Sequence, residues 1–411
     1  MTTSFADYLS QTTESFRSNL PKKSIECTYH VILGNEAGDC DSIVSALALA
    51  YTQSLVDKDK ISDGSKTYLP VCSIERDDMA LRRETVLLLK KCGVDPESLL
   101  YLDDMSVCHL LSEDSANAQQ LELTLTDHNT IRSSLKHLSS NVKQIIDHHA
   151  DDGSHQHVAG ETREIAFCSE SNKALVGSAC TLVAEHLVKA TSYFQKGFKI
   201  DAGAATALLG TIVIDTMNMS ESAGKGTKRD ADMIDALMNN TGWNEDCESP
   251  NLEELYKWLN NAKFDATFWD EMSARDCLRI DYKRFQSSNN SNAFGISSVL
   301  LPIEKLFAKS EFIESAKAFM EDGHVELLGV MSMVIEDGTP QREMLLIGEK
   351  CKVEFMTDFL TKDDDASFLE ISVSAVDDSN MISNLATRIF SQGNIKGSRK
   401  QVAPVMMKCK L

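Results

Sequence analysis

The sequence predicts an α/β protein of two domains. The first has a mainly parallel sheet flanked by helices; the second is smaller and built on a mixed sheet. Three observations predict this. Short β-rich runs alternate with apolar-striped helical segments through the first half, the order that wraps a parallel sheet in helices. A length of 411 residues, at roughly 150 per domain, accommodates two or three domains. A polar stretch, NNTGWNEDCESPN at Asn239–Asn251, separates two halves of different character and divides residues 1–250 from 251–411.

Thr28–Leu33 is a β-rich run, and Ser42–Val56 carries Ile43, Val44, Leu47 and Leu49 near helical spacing. Thr67–Ser73 is the second strand, followed by a helix over Met79–Cys92. Leu99–Leu102, Leu121–Thr126 and Val142–Ile146 are further strands. Ala202–Ile214 is apolar nearly throughout, and its length favours helix over buried strand. In the second half the strands are Ala293–Leu300, Val325–Ile335, Met344–Ile347 and Phe368–Val376. Helices are expected over Ile303–Met320, opened by Pro302, and over Ser379–Phe390, capped by Asp377 or Asp378. The acidic run Asp363–Asp365 reads as a solvated loop.

Composition narrows the function. Hydrophobic residues make up 42% and charged residues 25%, the mixture of a soluble globular protein. No apolar run reaches the roughly 18 residues of a membrane span. The opening MTTSFADYLSQTTESFRSNLPKK lacks the apolar core of a signal peptide. The net charge of −21, from 62 acidic and 41 basic residues, argues against nucleic acid or a membrane surface as partner. A polyanionic substrate remains open, because a basic cluster can sit on an acidic body. The 11 cysteines form no C-x-x-C pair, which fits a reducing compartment, the cytoplasm.

Acids and imidazoles recur directly after the apolar runs. Thr28–Leu33 leads into Gly34-Asn35-Glu36-Ala37-Gly38-Asp39-Cys40-Asp41, with Asp39 and Asp41 two apart on a loop. Leu121–Thr126 ends at Asp127-His128-Asn129, Val142–Ile146 at Asp147-His148-His149, and Ala202–Ile214 at Asp215. In a parallel sheet the strand ends lie along one edge, where open α/β sheets place their ligands. Carboxylates gathered there cannot all stay ionised without compensation. A pair of divalent ions supplies it, and such pairs displace at phosphorus by activating water and neutralising phosphoryl oxygens. Asp127 could bridge two ions and His148 adds a nitrogen ligand. A single strand-end Asp is most often a cap or turn former; four segments and the Asp-His-His triplet outweigh that reading. His30, His109, His137, His186 and His324 read as structural or surface residues, His155 and His157 as part of a polar loop, and Cys40 as a packing residue.

With GNEAGDCDS upstream, TDHN at Thr126–Asn129, DHH at Asp147–His149 and IDT at Ile214–Thr216, the first domain resembles the DHH phosphoesterase superfamily. The second resembles the DHHA2 subgroup, through Asp281-Tyr282-Lys283 and Ser398-Arg399-Lys400-Gln401-Val402-Ala403-Pro404. No GGGH-type element of the DHHA1 branch occurs. Asn35 stands where family II pyrophosphatases have His, and Pro70–Glu84 is similar to the exopolyphosphatase and prune branch. The resemblance implies an exopolyphosphatase with its active site in an interdomain cleft. It makes Asp39, Asp41, Asp127, His148 and Asp215 the ligands of two divalent ions, Mg²⁺ or Mn²⁺, with Co²⁺ or Zn²⁺ as alternatives. It makes His149 and Asp127 catalytic, Asp147 a support for the histidines, and Asn35, His149, Lys283, Arg399 and Lys400 the binders of substrate.

The acid-free stretch Arg388–Leu411, with Arg388, Lys396, Arg399, Lys400, Lys408 and Lys410, suits a polyanion, and Lys225, Lys228 and Arg229 could extend its track. The expected substrate is inorganic polyphosphate or another short phosphoanhydride, acted on by a monomer. The enzyme rival is a short-chain phosphohydrolase acting on pyrophosphate, tripolyphosphate or, as in prune-type proteins, cyclic nucleotides. The rival of another class is an interaction module that keeps the fold without turnover. The terminal Cys409-Lys410-Leu411 resembles a peroxisomal address, the alternative to the cytoplasm.

Overall fold

The computed structural model describes residues 3–19, 28–59, 66–113, 120–194, 197–245, 247–287, 292–336, 339–377 and 385–409. The chain divides into two units, Met1–Lys263 and Phe264–Leu411.

In the first unit six strands form one sheet: β1 (Thr28–Leu33), β2 (Lys66–Cys72), β3 (Leu100–Tyr101), β4 (Leu121–Thr126), β5 (Val142–Asp147) and β6 (Arg163–Ile165). Their order is β3-β2-β1-β4-β5-β6, and every neighbouring pair is parallel. A two-stranded ribbon, β7 (Phe167–Cys168) and β8 (Lys173–Ala174), comes next. Val31, Leu33, Leu123, Leu125 and Ile145 enter one core and Ile32 and Ile146 the other, so the two-residue period of each strand feeds both faces. The helices are α1 (Phe5–Asn19), α2 (Cys40–Asp59), α3 (Arg83–Lys91), α4 (Met105–Leu110), α5 (Ala179–Thr191), α6 (Ala202–Asp215), α7 (Lys228–Asn240) and α8 (Leu252–Lys263). Helix α6 is apolar on all sides and almost wholly buried, as such a helix must be. Sheet growth reverses between β1 and β4, so the loops leaving these strands open at the switch point of a doubly wound sheet.

The second unit carries α9 (Ala266–Glu271), α10 (Ala274–Arg279), β9 (Tyr282–Gln286), β10 (Ala293–Val299), α11 (Ile303–Phe307), α12 (Phe312–Asp322), β11 (Leu327–Glu336), β12 (Thr339–Glu349), α13 (Lys350–Lys362), β13 (Ile371–Asp377), β14 (Leu385–Gln392) and α14 (Arg399–Lys408). Its sheet runs β13-β14-β12-β11-β10-β9. Only β10 and β11 pair in parallel, which makes the sheet mixed. No helix among the described residues is long and apolar enough to cross a membrane.

Several expectations need correction. Residues 385–392 are strand, not helix, because pairing with β12 and β13 on both sides outweighs local preference; residues 378–384 of that expected helix lie outside the described residues. The helix expected over Ile303–Met320 is two, α11 and α12, broken before Glu311, which takes a left-handed conformation at φ 56°. The helix expected over Met79–Cys92 is a 3-10 turn, Arg76–Leu81, and α3, interrupted at Arg82. The polar stretch at Asn239–Asn251 lies within the first unit rather than at its end, since Leu255 and Leu259 of α8 join its core. Lys410 and Leu411 lie outside the described residues.

Candidate metal centre

The loop leaving β1 is folded by Asn35. Its Oδ1 accepts the backbone N–H of Ala37 (2.8 Å) and of Gly38 (3.3 Å), and Gly38 takes φ 55°. Two N–H donors on one atom identify that atom as the oxygen, so Nδ2 is the group directed at Asp127, donating to its Oδ2 at 2.5 Å. Asp39 accepts the N–H of Ser42 and caps α2. Asp41 is not on the loop as expected but in the first turn of α2. There it is buried and accepts the hydroxyl of Ser178 and the N–H groups of Ala179 and Cys180. These contacts bring the start of α5 onto α2.

Asp127 follows β4 with φ 61°, a conformation uncommon for a non-glycine residue, and its N–H bonds to the carbonyl of Ile146. It is 2% exposed. Its Oδ1 lies 3.3 Å from His148 Nε2 and 3.5 Å from His149 Nδ1, and Asp41 Oδ2 lies 3.7 Å from His148 Nε2. Asp127, His148 and His149 offer ligand atoms that lie within 4.8 Å of one another.

His148 Nδ1 contacts the carbonyl of Val176 at 3.2 Å. A carbonyl only accepts, so Nδ1 carries a proton, and Nε2 is the ring nitrogen that faces two carboxylates. Asp127 Oδ1 and Asp215 Oδ2 are buried without a hydrogen-bond partner. Burial, then the charges of Asp41 and Asp39, push the Asp127 carboxyl up to about 7 and raise that of Asp215 well above its ordinary value. Carboxylates crowded together in a buried site call for a cation between them.

Asp147 plays a different part. Burial alone would raise its pKa, but hydrogen bonds from His149 Nδ1 (2.8 Å) and Asn129 Nδ2 (2.6 Å) hold it well below the usual carboxylate range. It also accepts the backbone N–H groups of His148 and His149, fixing both rings at their base.

In the second unit Lys283 sits on β9 and Arg399 opens α14 behind the N-cap Ser398. The Arg399 guanidinium is forked onto Asp281, with Nη1 on the carbonyl and Nη2 on Oδ1, each at 2.6 Å. Lys400, next on the helix, is exposed. Of the residues that could extend the basic track, Lys228 pairs with Asp232 and Arg229 with Glu185. Arg388 is buried in β14 and Lys408 pairs with Asp365.

Comparison with known proteins identifies both domains. The model of the DHH family, N-terminal domain, matches residues 30–212, and that of the DHHA2 domain matches residues 257–409. The chain carries a DHH domain followed by a DHHA2 domain. It is 27% identical over 382 residues to exopolyphosphatase PRUNE1 of Rattus norvegicus, covering 92% of this chain and 74% of that protein. A candidate exopolyphosphatase of Schizosaccharomyces pombe is 25% identical over 389 residues, covering 92% and 90%. The structure of a candidate family II inorganic pyrophosphatase from Methanococcus jannaschii aligns with a TM-score of 0.56 at 20% identity, covering 92% of this chain and 99% of that one, and so shares the fold.

The structure joins Asn35, Asp41, Asp127, His148 and His149 by direct contact, while Asp39 and Asp215 are linked to the others through charge. Sequence reasoning missed several supports. Arg82 is buried, with Nε on the carbonyl of Gly38, Nη2 on that of Ala37 and Nη1 on that of Asp78, so it holds the loop after β1 from below. Lys263, ending α8, brings its ammonium to 4.0 Å from Glu84. Burial opposes that charge, but Glu84, Asp215 and Asp39 raise its pKa. The one available signal was an arginine breaking an otherwise helical pattern at Leu81-Arg82-Arg83.

Proposed function

We propose that this protein is a divalent-metal-dependent exopolyphosphatase that removes terminal orthophosphate from linear polyphosphate. The observation that carries the proposal is the buried gathering of Asp41, Asp127 and Asp215 carboxylates beside His148 Nε2, a set that suits a cation. The names of the relatives support phosphoanhydrides as the substrate class.

Asp39, Asp41, Asp127, His148 and Asp215 would hold a pair of ions. A set dominated by carboxylate oxygen favours Mg²⁺ or Mn²⁺, with Co²⁺ or Zn²⁺ as alternatives. Bound there, the ions supply charge for the phosphoryl oxygens and lower the pKa of water. Asn35 contributes as a donor, since its Nδ2 fixes Asp127 Oδ2 and leaves Oδ1 to face the site. His149 has Nδ1–H fixed on Asp147, so proton exchange with the leaving oxygen falls to Nε2. Lys283 and Lys400 would neutralise substrate phosphates as point charges, and Arg399 would set the start of α14 through Asp281.

The test is orthophosphate release from pyrophosphate, tripolyphosphate and long-chain polyphosphate, each with Mg²⁺ and with Mn²⁺. Release from long chains that stops with EDTA is expected. Turnover confined to pyrophosphate or tripolyphosphate would move the assignment to a short-chain phosphohydrolase, and no turnover with any metal would overturn it.

A further inference from the structure

A single turn, Val176–Thr181, holds two of the expected ligands from opposite sides. At one end the carbonyl of Val176 takes the Nδ1–H of His148. At the other, Ser178 Oγ and the N–H groups of Ala179 and Cys180 converge on the carboxylate of Asp41. His148 and Asp41 come from distant parts of the chain, β5 and α2. Their relative placement therefore depends on what fixes the turn.

That anchor is Asp230, one turn into α7 and 0% exposed. It accepts from Gly177 N, with oxygens at 3.0 and 2.9 Å, and from Thr181 Oγ1 at 2.5 Å. It also accepts from Thr227 N at 2.7 Å and Thr227 Oγ1 at 2.8 Å, closing the capping box of α7. All four groups donate to it, and two of them, the N–H groups of Gly177 and Thr227, can only donate. Gly177 fits tightly as well: a Cβ there would meet Thr216 Cγ2 at 2.6 Å and the carbonyl of Lys225 at 2.9 Å.

We propose that Asp230 is a positioning residue of the metal centre. By pinning Gly177 and Thr181 it sets the Val176 carbonyl that selects the Nδ1–H tautomer of His148, and the three donors that orient Asp41. The inference rests on the metal-centre reading, and it assigns to α7 a part in cation affinity without contact with the cation. Because Gly177 N–H bonds both carboxylate oxygens, an Asn at 230 would set its NH₂ against that N–H in either orientation, loosening the turn while changing little volume.

The experiment measures Mn²⁺ binding to the purified full chain by calorimetry, beside thermal unfolding in EDTA. Asp230→Asn and Gly177→Ala are each expected to weaken Mn²⁺ binding about 10–100-fold, the usual effect of removing an outer support of a metal ligand. Ile234→Ala, on the same helix but outside the turn, is expected to lower Tm and leave Mn²⁺ affinity unchanged. Independently of any variant, long-range ¹H–¹⁵N spectra of the wild type should show His148 as the Nδ1–H tautomer. Wild-type binding with Asp230→Asn equally tight, or an Nε2–H tautomer in the wild type, would overturn the relay alone. A wild type that binds no Mn²⁺ would sink both the relay and the metal centre beneath it.

Discussion

Strand β4 carries an acid near each end, and the protein treats the two in opposite ways. Glu122, near its start, sits between His30 Nδ1 at 3.1 Å and Lys66 Nζ at 2.8 Å, and these partners lower its pKa to about 2. Asp127, just past its end, is buried beside Asp41 and Asp39, and its pKa is raised in spite of His148. The first acid is compensated by its neighbours; the second is left short of positive charge. Structural carboxylates in folded proteins look like Glu122. A carboxylate kept buried with an unpartnered oxygen marks a site that something else must complete.

Removing each acid sharpens the contrast, and the larger effect belongs to Asp127. Asp127→Ala should lower orthophosphate release on the order of 10²–10³-fold, the scale found when a preorganised polar group is lost from a reaction centre. The same variant should differ little in stability from the wild type in EDTA, because it removes an unpartnered buried oxygen but also the acceptor of Asn35 Nδ2. Full activity, or a large loss of stability in EDTA, would put Asp127 in the same class as Glu122.

Legibility in the sequence divides along similar lines. The strands of the first sheet carry continuous apolar runs with acids directly after them, so both the sheet and the line of carboxylates could be read. Residues 385–390 read as helix yet form strand, because a strand paired on both sides needs no local signature of its own. The site's ligand types were visible, yet its supports were not. Asp230 and Arg82 act through backbone groups of Gly177, Gly38 and Ala37, and a contact with backbone leaves no mark on the partner's identity. Asn35 was visible as a departure from the pyrophosphatase pattern, but its direction depends on two backbone N–H groups that only the folded loop presents. Asp39 and Asp41 read as equivalent loop residues; the start of α2 between them gives one to a helix cap and the other to a buried cluster.

The pH dependence of the metal-free protein should also separate the two acids. Asp127 has a folded pKa above its unfolded value of 3.8, so between 3.8 and about 7 the folded state binds more protons. Its contribution to stability is therefore favourable at low pH and lost as pH rises toward 7. In EDTA, Tm of the wild type should fall relative to Asp127→Asn over that window, by roughly 2–4 °C for each kcal/mol in a chain of this size. Mn²⁺ added at pH 7 should restore it by mass action. A difference between the two proteins that stays constant with pH would show that Asp127 does not titrate against burial.

Glu122 predicts the smallest effect and the opposite sign. Its unfolded pKa of 4.5 falls to about 2 on folding, first through the hydrogen bond from His30 and then through Lys66. The stabilisation is fully present above 4.5 and is lost as pH falls toward 2. The side chain is 27% exposed and Lys66 40%, so solvent screens the pair and its worth is about 0.2–1 kcal/mol. A carboxylate only accepts, so His30 Nδ1–H is the donor to Glu122, while Nε2 lies 2.6 Å from the Thr124 hydroxyl. Glu122→Gln keeps an acceptor for that N–H and removes only the charge. Urea unfolding should therefore show the variant slightly less stable at pH 6, with the difference closing by about pH 2–3. A difference that survives at pH 2 would assign the effect to packing rather than to charge, and the two ends of β4 would no longer form an electrostatic pair of opposites.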